Sequence, residues 1–365
     1  MQKNNTIVIK IGTAVLSTQK GSLDVKILKS IVSQVYELIK MGYKVIIVSS
    51  GAIAAGIEAM GLKMRPKTLS GLQAAAAVGQ GRLMKLYNDC MQNYNMHAAQ
   101  VLLTRDDFSN RKRYLNIYNT LSELLNKYNA VPVINENDAV ATDEIKFGDN
   151  DTLCALVANL AGAGQLFILT SVDGLYSGAD NTVVPFVEKI TPQIQAMATK
   201  EVGSLGAGGM QSKLQAVKMA TAFGISCVIA NGKTKDVILK IVKGEAIGTK
   251  FFPKDRKRTA KKRWLGLSLI PHGTIVVDDG AKKALISLGK SLLAAGILSA
   301  QGAFKAGDIV KIASLDGLEF ARGVSNFSLK DINVIKGLKT PQIKGLLKQE
   351  AAKDEVVHRD NMVIL

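Results

Sequence analysis

Thr6-Ile-Val-Ile-Lys-Ile-Gly12 is apolar at almost every position and ends in a glycine. A strand with one wet face alternates apolar and polar residues, so this run reads as a strand buried on both faces. Lys44-Val-Ile-Ile-Val48 repeats the pattern and runs into Ser49-Ser-Gly-Ala52. Ala99-Gln-Val-Leu-Leu103, Val131-Pro-Val-Ile134, Leu166-Phe-Ile-Leu-Thr170 and Ile225-Ser-Cys-Val-Ile-Ala230 follow suit. Helical spacing fills the gaps. Asp24 to Met41 carries Ile27, Ile31, Val35 and Leu38 on one face, with Gly42 as its stop. Gly71 to Tyr94 holds the run Ala74-Ala-Ala-Ala77, which permits close packing, and Arg111 to Tyr128, Asp151 to Ala161 and Met210 to Phe223 are also helical. Buried strands alternating with amphipathic helices predict an α/β fold, a mostly parallel central sheet sandwiched by helices. In such sheets functional groups gather beyond the C-terminal ends of the strands. Gly12-Thr13, Ser49-Ser-Gly51, Asn135 to Asp138, Thr170-Ser171 and Asn231-Gly232 all fall at such ends.

The pattern changes at Pro253. Lys254-Asp-Arg-Lys-Arg-Thr-Ala-Lys-Lys-Arg263 has seven basic residues and one acid and reads as a solvated linker rather than a nucleic-acid contact. Short segments with turn signals follow: Trp264 to Leu269, Gly273-Thr-Ile-Val-Val277, Asp308-Ile-Val-Lys-Ile312 and Glu319-Phe-Ala-Arg-Gly-Val324. Helical pieces interrupt them near Ala281 to Leu288 and Ser328 to Ile335. This predicts a small, mostly-β, barrel-like domain. The expected boundaries are residues 1–252 for the large domain, 253–271 for the linker and 272–365 for the small domain.

With 365 residues, 47% of them apolar, the chain has enough material for a sizeable core. Its three cysteines, Cys90, Cys154 and Cys227, are far apart and form no C-x-x-C pair. That spacing argues against a zinc ribbon or a disulfide framework and favours free thiols in a reducing compartment. No apolar run reaches the ~18 residues that a membrane span needs, and the first residues lack a signal-peptide core. A cytoplasmic protein with no membrane partner is expected. The net charge of +17 attracts anions such as nucleotides or nucleic acid, but no aromatic-interleaved basic run marks a single-strand binder.

Four constellations carry chemistry. Lys10, near the end of a central strand, is expensive to bury without an anion and is a natural phosphate ligand if it faces the crevice. At Ser49-Ser50-Gly51, glycine lets a ligand approach the backbone; Ser50 suits a carboxylate, though serine is also an ordinary helix N-cap. Asn135-Glu-Asn-Asp138 and Gly148-Asp-Asn-Asp151 crowd carboxylates and amides into two short loops, which calls for a cation between them. An amino-acid ammonium would suit Asp138, and Asn150 would donate to a carboxylate. Metal–nucleotide chemistry is a second way to balance the charge. Finally, Gly203-Ser-Leu-Gly-Ala-Gly-Gly-Met-Gln-Ser-Lys213 is a glycine-rich loop that enters a helix with a lysine in its first turns, as in a phosphate cradle. It is not a P-loop. The set suits phosphoryl transfer, which needs positioned positive charge and little covalent chemistry. A carboxylate acceptor is already ionised and needs no general base. Accordingly none of the three histidines (His97, His272, His358) lies in these clusters.

Val8-Ile-Lys-Ile-Gly-Thr13, Val48-Ser-Ser-Gly-Ala-Ile-Ala-Ala-Gly56, Pro132-Val-Ile-Asn-Glu-Asn-Asp-Ala139, Phe147-Gly-Asp-Asn-Asp151 and Gly206-Ala-Gly-Gly-Met-Gln-Ser-Lys213 closely resemble the glutamate 5-kinases of the amino acid kinase family. The tail, including Val357-His-Arg-Asp-Asn-Met362, resembles the PUA domain that ends those kinases.

The resemblance implies ATP- and Mg²⁺-dependent phosphorylation of the γ-carboxylate of L-glutamate to L-glutamyl 5-phosphate, the first step of proline biosynthesis. It implies that Lys10 and Lys213 stabilise the transferring phosphoryl group, Lys10 also contacting ATP, and that Asp151 orients both. Ser50, Asp138 and Asn150 would hold glutamate, with Asp149 nearby. Thr170, Ser171 and the loop Gly206, Ala207, Gly208, Gly209, Met210, Gln211, Ser212 and Lys213 would contact ATP. No protein side chain is assigned as a direct metal ligand. The family has Thr-Asp where this chain has Thr170-Ser171, so an acceptor for the nucleotide is weakened there. Feedback inhibition by proline, a dimeric or tetrameric assembly and coupling to glutamate-5-semialdehyde dehydrogenase are further implications. PUA domains often bind RNA, which leaves RNA open as a partner.

Overall fold

A computed structural model describes residues 5–18, 21–141, 149–177, 182–198, 209–253, 271–343 and 354–365. The chain divides into two compact units, residues 1–107 with 115–257, and residues 108–114 with 258–365. The expected linker lies, apart from its two ends, outside the described residues, and so does the strand expected at Trp264 to Leu269.

In chain order the first part contains β1 (Thr6–Ile11), α1 (Thr13–Leu16), α2 (Val25–Lys40), β2 (Lys44–Ser49), α3 (Ala52–Ala59), α4 (Leu69–Gln92), β3 (His97–Leu103), α5 (Arg105–Ser109), α6 (Arg111–Lys127) and β4 (Ala130–Glu136). It continues with α7 (Asp149–Ala161), β5 (Gln165–Thr170), β6 (Phe186–Val187), α8 (Pro192–Met197), α9 (Met210–Ala222), β7 (Ser226–Asn231), α10 (Val237–Lys243) and β8 (Thr249–Phe251). The strands form one sheet in the order β3-β4-β2-β1-β5-β7-β8-β6. From β3 to β7 every neighbouring pair is parallel; β8 runs antiparallel to β7 and parallel to β6. The expected mostly parallel sheet is therefore present, closed at one side by the short strands β8 and β6.

β1 is central because it is buried along its whole length and pairs on both sides, with β2 and β5. Its Ile7, Ile9 and Ile11 join a core with Leu28, Ile31, Val35 and Leu38 of α2 and Leu83 and Tyr87 of α4. Alternation along a strand puts Lys10 on the opposite face, which α7 covers. Asp24 starts α2 by accepting from the backbone N–H groups of Lys26 and Ile27, both at 3.1 Å.

Helices α3 and α4 touch almost backbone to backbone. A Cβ on Gly56 would sit 1.7 Å from the Ala75 carbonyl oxygen, and one on Gly79 would sit 1.9 Å from that of Ala52. No side chain fits either place, so the small residues around Ala74–Ala77 serve this close approach.

The second unit contains β9 (Gly273–Val277), α11 (Asp279–Ser287), β10 (Ile297–Gly302), β11 (Ile309–Ala313), β12 (Glu319–Val324), α12 (Leu329–Ile335) and β13 (Met362–Ile364). Its sheet runs β10-β9-β11-β12-β13. Ile275, Val277, Val310, Ile312 and Ala321 form its core with Ile332 and Ile335 of α12, whose start is fixed by a reciprocal Ser328–Asp331 cap. The mostly-β expectation holds for this unit. Strands β10 and β13 were not anticipated: β10 is largely exposed and so lacks an apolar run, and β13, though apolar, is only three residues long.

Candidate active site

Lys10 stands one residue before the end of β1 and is buried. Its anionic partner is Asp151, near the N-terminus of α7, with Nζ 2.6 Å from Oδ1. Lys213, in the second turn of α9, approaches the other oxygen, Oδ2, at 3.4 Å. Ser212 Oγ donates to the same oxygen at 2.7 Å, and also lies 2.8 Å from the Gly209 carbonyl. The Asp151 side chain is fully buried and each lysine nearly so.

Burial pushes the Asp151 carboxyl up. Lys10 and Lys213, with the hydrogen bonds from Lys10 and Ser212, outweigh it, and the carboxyl is held below its usual range. Burial pushes the Lys213 ammonium down, Asp151 raises it and Lys10 lowers it; the net result is a lowered pKa. Two ammonium groups against one carboxylate leave an excess of positive charge in a dry site. An anion such as a phosphoryl group would complete it.

A neutral network adjoins this charged centre. Asn150, one residue before Asp151, sends its Nδ2 to Ser50 Oγ and to Asn135 Oδ1, both at 3.1 Å. Asn135 Nδ2 donates to Gln80 Oε1 at 2.9 Å, and Gln80 Nε2 donates to Gln100 Oε1 at 3.2 Å. Ser50 is not a helix cap: the N-cap of α3 is Gly51, at φ 106°, with no side-chain cap. Behind Ser50, Ser49 Oγ donates to the Ser50 carbonyl at 3.1 Å, and Tyr87 Oη lies 2.8 Å from Ser49 Oγ.

A cleft of about 250 Å³ opens beside the network, lined by Ala52, Ala76, Gln80, Gln100, Glu136 and Asp138 among others. Thr170 is buried at the end of β5, and Ser171 next to it is exposed. Across the strand ends, Asn231 Nδ2 donates to Asp173 Oδ1 at 3.0 Å. Gly209 precedes α9 and has no side-chain cap, so the first N–H groups of that helix are not met by a capping side chain. Met210 is buried and Gln211 exposed. Gly206, Ala207 and Gly208 lie outside the described residues, as does the side chain of Asp149.

Lys10, Lys213 and Asp151 thus converge, as do Ser50 and Asn150, and Asp138 lines the cleft next to them. Asn150 was expected to donate to a substrate carboxylate; in the structure its N–H₂ serves Ser50 and Asn135. Sequence reasoning missed Gln80 and Gln100. The available signal was Gln80 itself, a long polar residue one position after the buried Gly79 and four after the buried Ala76 on an otherwise small-residue helix face.

Residues 5–231 match the profile of the amino acid kinase family and residues 273–347 that of the PUA domain. The glutamate 5-kinase of Caldanaerobacter subterraneus subsp. tengcongensis is 44% identical over 364 residues, covering 98% of this chain and 97% of that protein. The glutamate 5-kinase of Citrifermentans bemidjiense is 42% identical over 370 aligned positions, covering 100% and 99%. That of Syntrophus aciditrophicus is 43% identical over 364 residues, covering 98% and 94%.

Proposed function

The chain belongs to the amino acid kinase family, in its glutamate 5-kinase branch, and from that premise we propose that it transfers the γ-phosphoryl group of ATP to the γ-carboxylate of L-glutamate, the first step of proline biosynthesis. The observation that carries the reading is the buried Asp151 clasped by Lys10 and Lys213. A carboxylate so engaged is not a base. It serves to hold two cations where charge builds up during transfer, and phosphoryl transfer is catalysed mainly by such positioning.

Glutamate supplies its own nucleophile, an ionised carboxylate oxygen. That oxygen attacks the γ-phosphorus as the bond to the β-phosphate oxygen breaks, and ADP leaves with the electron pair. Lys10 and Lys213 stabilise the negative charge that spreads over the phosphoryl oxygens. Ser50 and Asn150 hold the amino acid with Asp138 toward its ammonium end, and Asp149 lies near them in sequence. Thr170, Ser171 and the segment 206–213 contact the nucleotide. Among the described residues no group of three or more His, Cys, Asp or Glu side chains is gathered for a metal. Mg²⁺ would be carried by the ATP phosphate oxygens, whose charge it would neutralise.

Residues 1–252 form the catalytic domain in this reading, 253–271 the linker and 272–365 the PUA domain. Inhibition by proline, a dimer or tetramer, coupling to glutamate-5-semialdehyde dehydrogenase, RNA as a ligand of the PUA domain and a cytoplasmic setting belong to the same proposal. No helix among the described residues is long and apolar enough to cross a membrane.

The test is ADP release that requires both ATP and glutamate, with hydroxylamine trapping of the acyl phosphate, run with and without proline. Trapping with aspartate, N-acetylglutamate or carbamate in place of glutamate would overturn the reading.

A further inference from the structure

We propose that Gln80 is a positioning residue for the amino-acid site, acting through Asn135 to fix the orientation of the Asn150 amide and so to turn Ser50 into a hydrogen-bond donor. The inference rests on the glutamate reading above and names a residue on α4 that sets how that substrate is held.

An amide is nearly the same shape when turned by 180°, so packing alone does not decide which end is oxygen; its hydrogen bonds do. Here one partner has a fixed polarity. The backbone N–H of Glu136 can only donate, and it reaches Asn135 at 2.9 Å, so the atom it meets is Oδ1. The same oxygen faces Asn150 at 3.1 Å, so Asn150 must present its N–H₂ there. That N–H₂ also donates to Ser50 Oγ at 3.1 Å. A serine hydroxyl that accepts from Asn150 keeps its own proton for another partner. The partner it suits is an oxygen anion of the substrate.

Two further facts bear on the amide's orientation. Asn150 Oδ1, the end turned away from this chain of bonds, is buried and has no hydrogen-bond partner among the described residues, so a donor on the bound amino acid would satisfy it. Asn135, only 2% exposed, is held at both ends, by the Glu136 N–H at its oxygen and by Gln80 Oε1 at its nitrogen, 2.9 Å away. Without Gln80 that buried N–H₂ has no acceptor, and Asn135 is driven to move toward one. Gln80 is aligned in turn by donating to Gln100 at 3.2 Å, and both glutamines line the cleft that Asp138 shares. The polarity fixed at the Glu136 N–H thus reaches the substrate loop without any charge, and Gln80 on α4 holds Asn135 in the orientation that transmits it.

The test is a double-mutant cycle between Gln80→Met and Asn150→Ala, with the Michaelis constants for glutamate and ATP, kcat and thermal midpoint measured for each variant. Methionine keeps the length and the helix propensity of glutamine but offers Asn135 only a weak thioether acceptor. We expect Gln80→Met to raise the glutamate KM about tenfold, the equivalent of one lost directional hydrogen bond, while the ATP KM changes less than about twofold. In the Asn150→Ala background the same change should add less than about twofold, because the relay has lost its end point. Gln80→Glu, which still accepts from Asn135, should restore the glutamate KM to within about threefold of wild type. An unchanged glutamate KM in a folded Gln80→Met protein, additive effects in the cycle, or no recovery with Gln80→Glu overturns the relay alone. Wild-type enzyme that turns over no glutamate overturns the substrate reading, and the relay with it.

Discussion

Two regions meet on consecutive residues of α7. Asp151 belongs to a charged, dry cluster with Lys10 and Lys213; Asn150 belongs to a neutral chain of amides and hydroxyls from Ser50 to Gln100. The first stores unbalanced positive charge and waits for an anion. The second is uncharged, and what it stores is direction. A reaction that moves a highly charged group onto a small zwitterion needs both, and keeping them separate lets rate and recognition vary independently.

The sharpest way to break that division is Asp151→Ala. It leaves two buried ammonium groups side by side with no anion, and breaking such a pair costs about 3–5 kcal/mol. Chemical denaturation should show a loss of that order, and activity should vanish. Next come Lys10→Ala and Lys213→Ala. Each removes charge stabilisation needed mainly in the transition state, so kcat should fall about 10²–10³-fold while the glutamate KM changes little. On the neutral side, Asp138→Ala should do the reverse, raising the glutamate KM about tenfold or more with a smaller change in kcat. Equal losses of both parameters in all three variants would erase the distinction between the two regions.

The charged region should also be the one that feels pH. Lys213 sits below the ordinary lysine pKa, so raising the pH removes its proton before that of a free lysine. The rate should therefore decline on the alkaline side with an apparent pKa below that of a free lysine. In Lys213→Arg the residual rate should stay flat over that range, because arginine does not deprotonate. Asp151 acts at the other end. Its folded pKa is depressed, so its contribution to stability is complete above the unfolded value of about 3.9 and is lost as pH falls through the folded value. Acid titration of the thermal midpoint in wild type and Asp151→Asn checks this, since the asparagine variant should lack that loss.

How far the sequence revealed these regions differs for physical reasons. Lys10 was legible because a lysine in Ile-Val-Ile-Lys-Ile has no cheap place to go, and Asp151 because three polar residues in a row, Asp149 to Asp151, demand partners. Their pairing was not legible from spacing: Asp151 lies 141 positions after Lys10, and only the placement of α7 against β1 brings them together. The central sheet was readable because β1, β2, β4 and β5 are buried on both faces, so apolar runs mark them. Strands β6 and β8, two and three residues long, carry too little sequence to register. Gln80 escaped notice because a glutamine on a helix is usually solvated. Its meaning depends on a partner 55 positions away, Asn135 at the end of β4, which only the fold brings within reach of α4.

The smallest expected effect tests whether every neutral contact near Ser50 serves recognition. Tyr87 is fully buried, and burial raises its phenol well above the usual pKa. The Ser49 hydroxyl lies 2.8 Å from the Tyr87 hydroxyl and 3.1 Å from the Ser50 carbonyl, so with its proton on the carbonyl the Tyr87 hydroxyl is the donor to Ser49. This pair anchors backbone and does not point at the cleft residues. Tyr87→Phe removes a donor and leaves Ser49 still bonded to Ser50, so it should cost only about 1 kcal/mol. Ser49→Ala strands a buried phenol hydroxyl and should cost about 1–3 kcal/mol, while the double variant should cost less than the sum, since the phenol hydroxyl is then gone and only the Ser50 carbonyl loses its Ser49 donor. Glutamate KM should stay within about twofold in all three, well short of the tenfold expected when a directional bond to the substrate is lost. A tenfold rise in Tyr87→Phe would instead make Tyr87 part of the recognition relay, and the line between anchoring and recognition would have to be redrawn at Ser50.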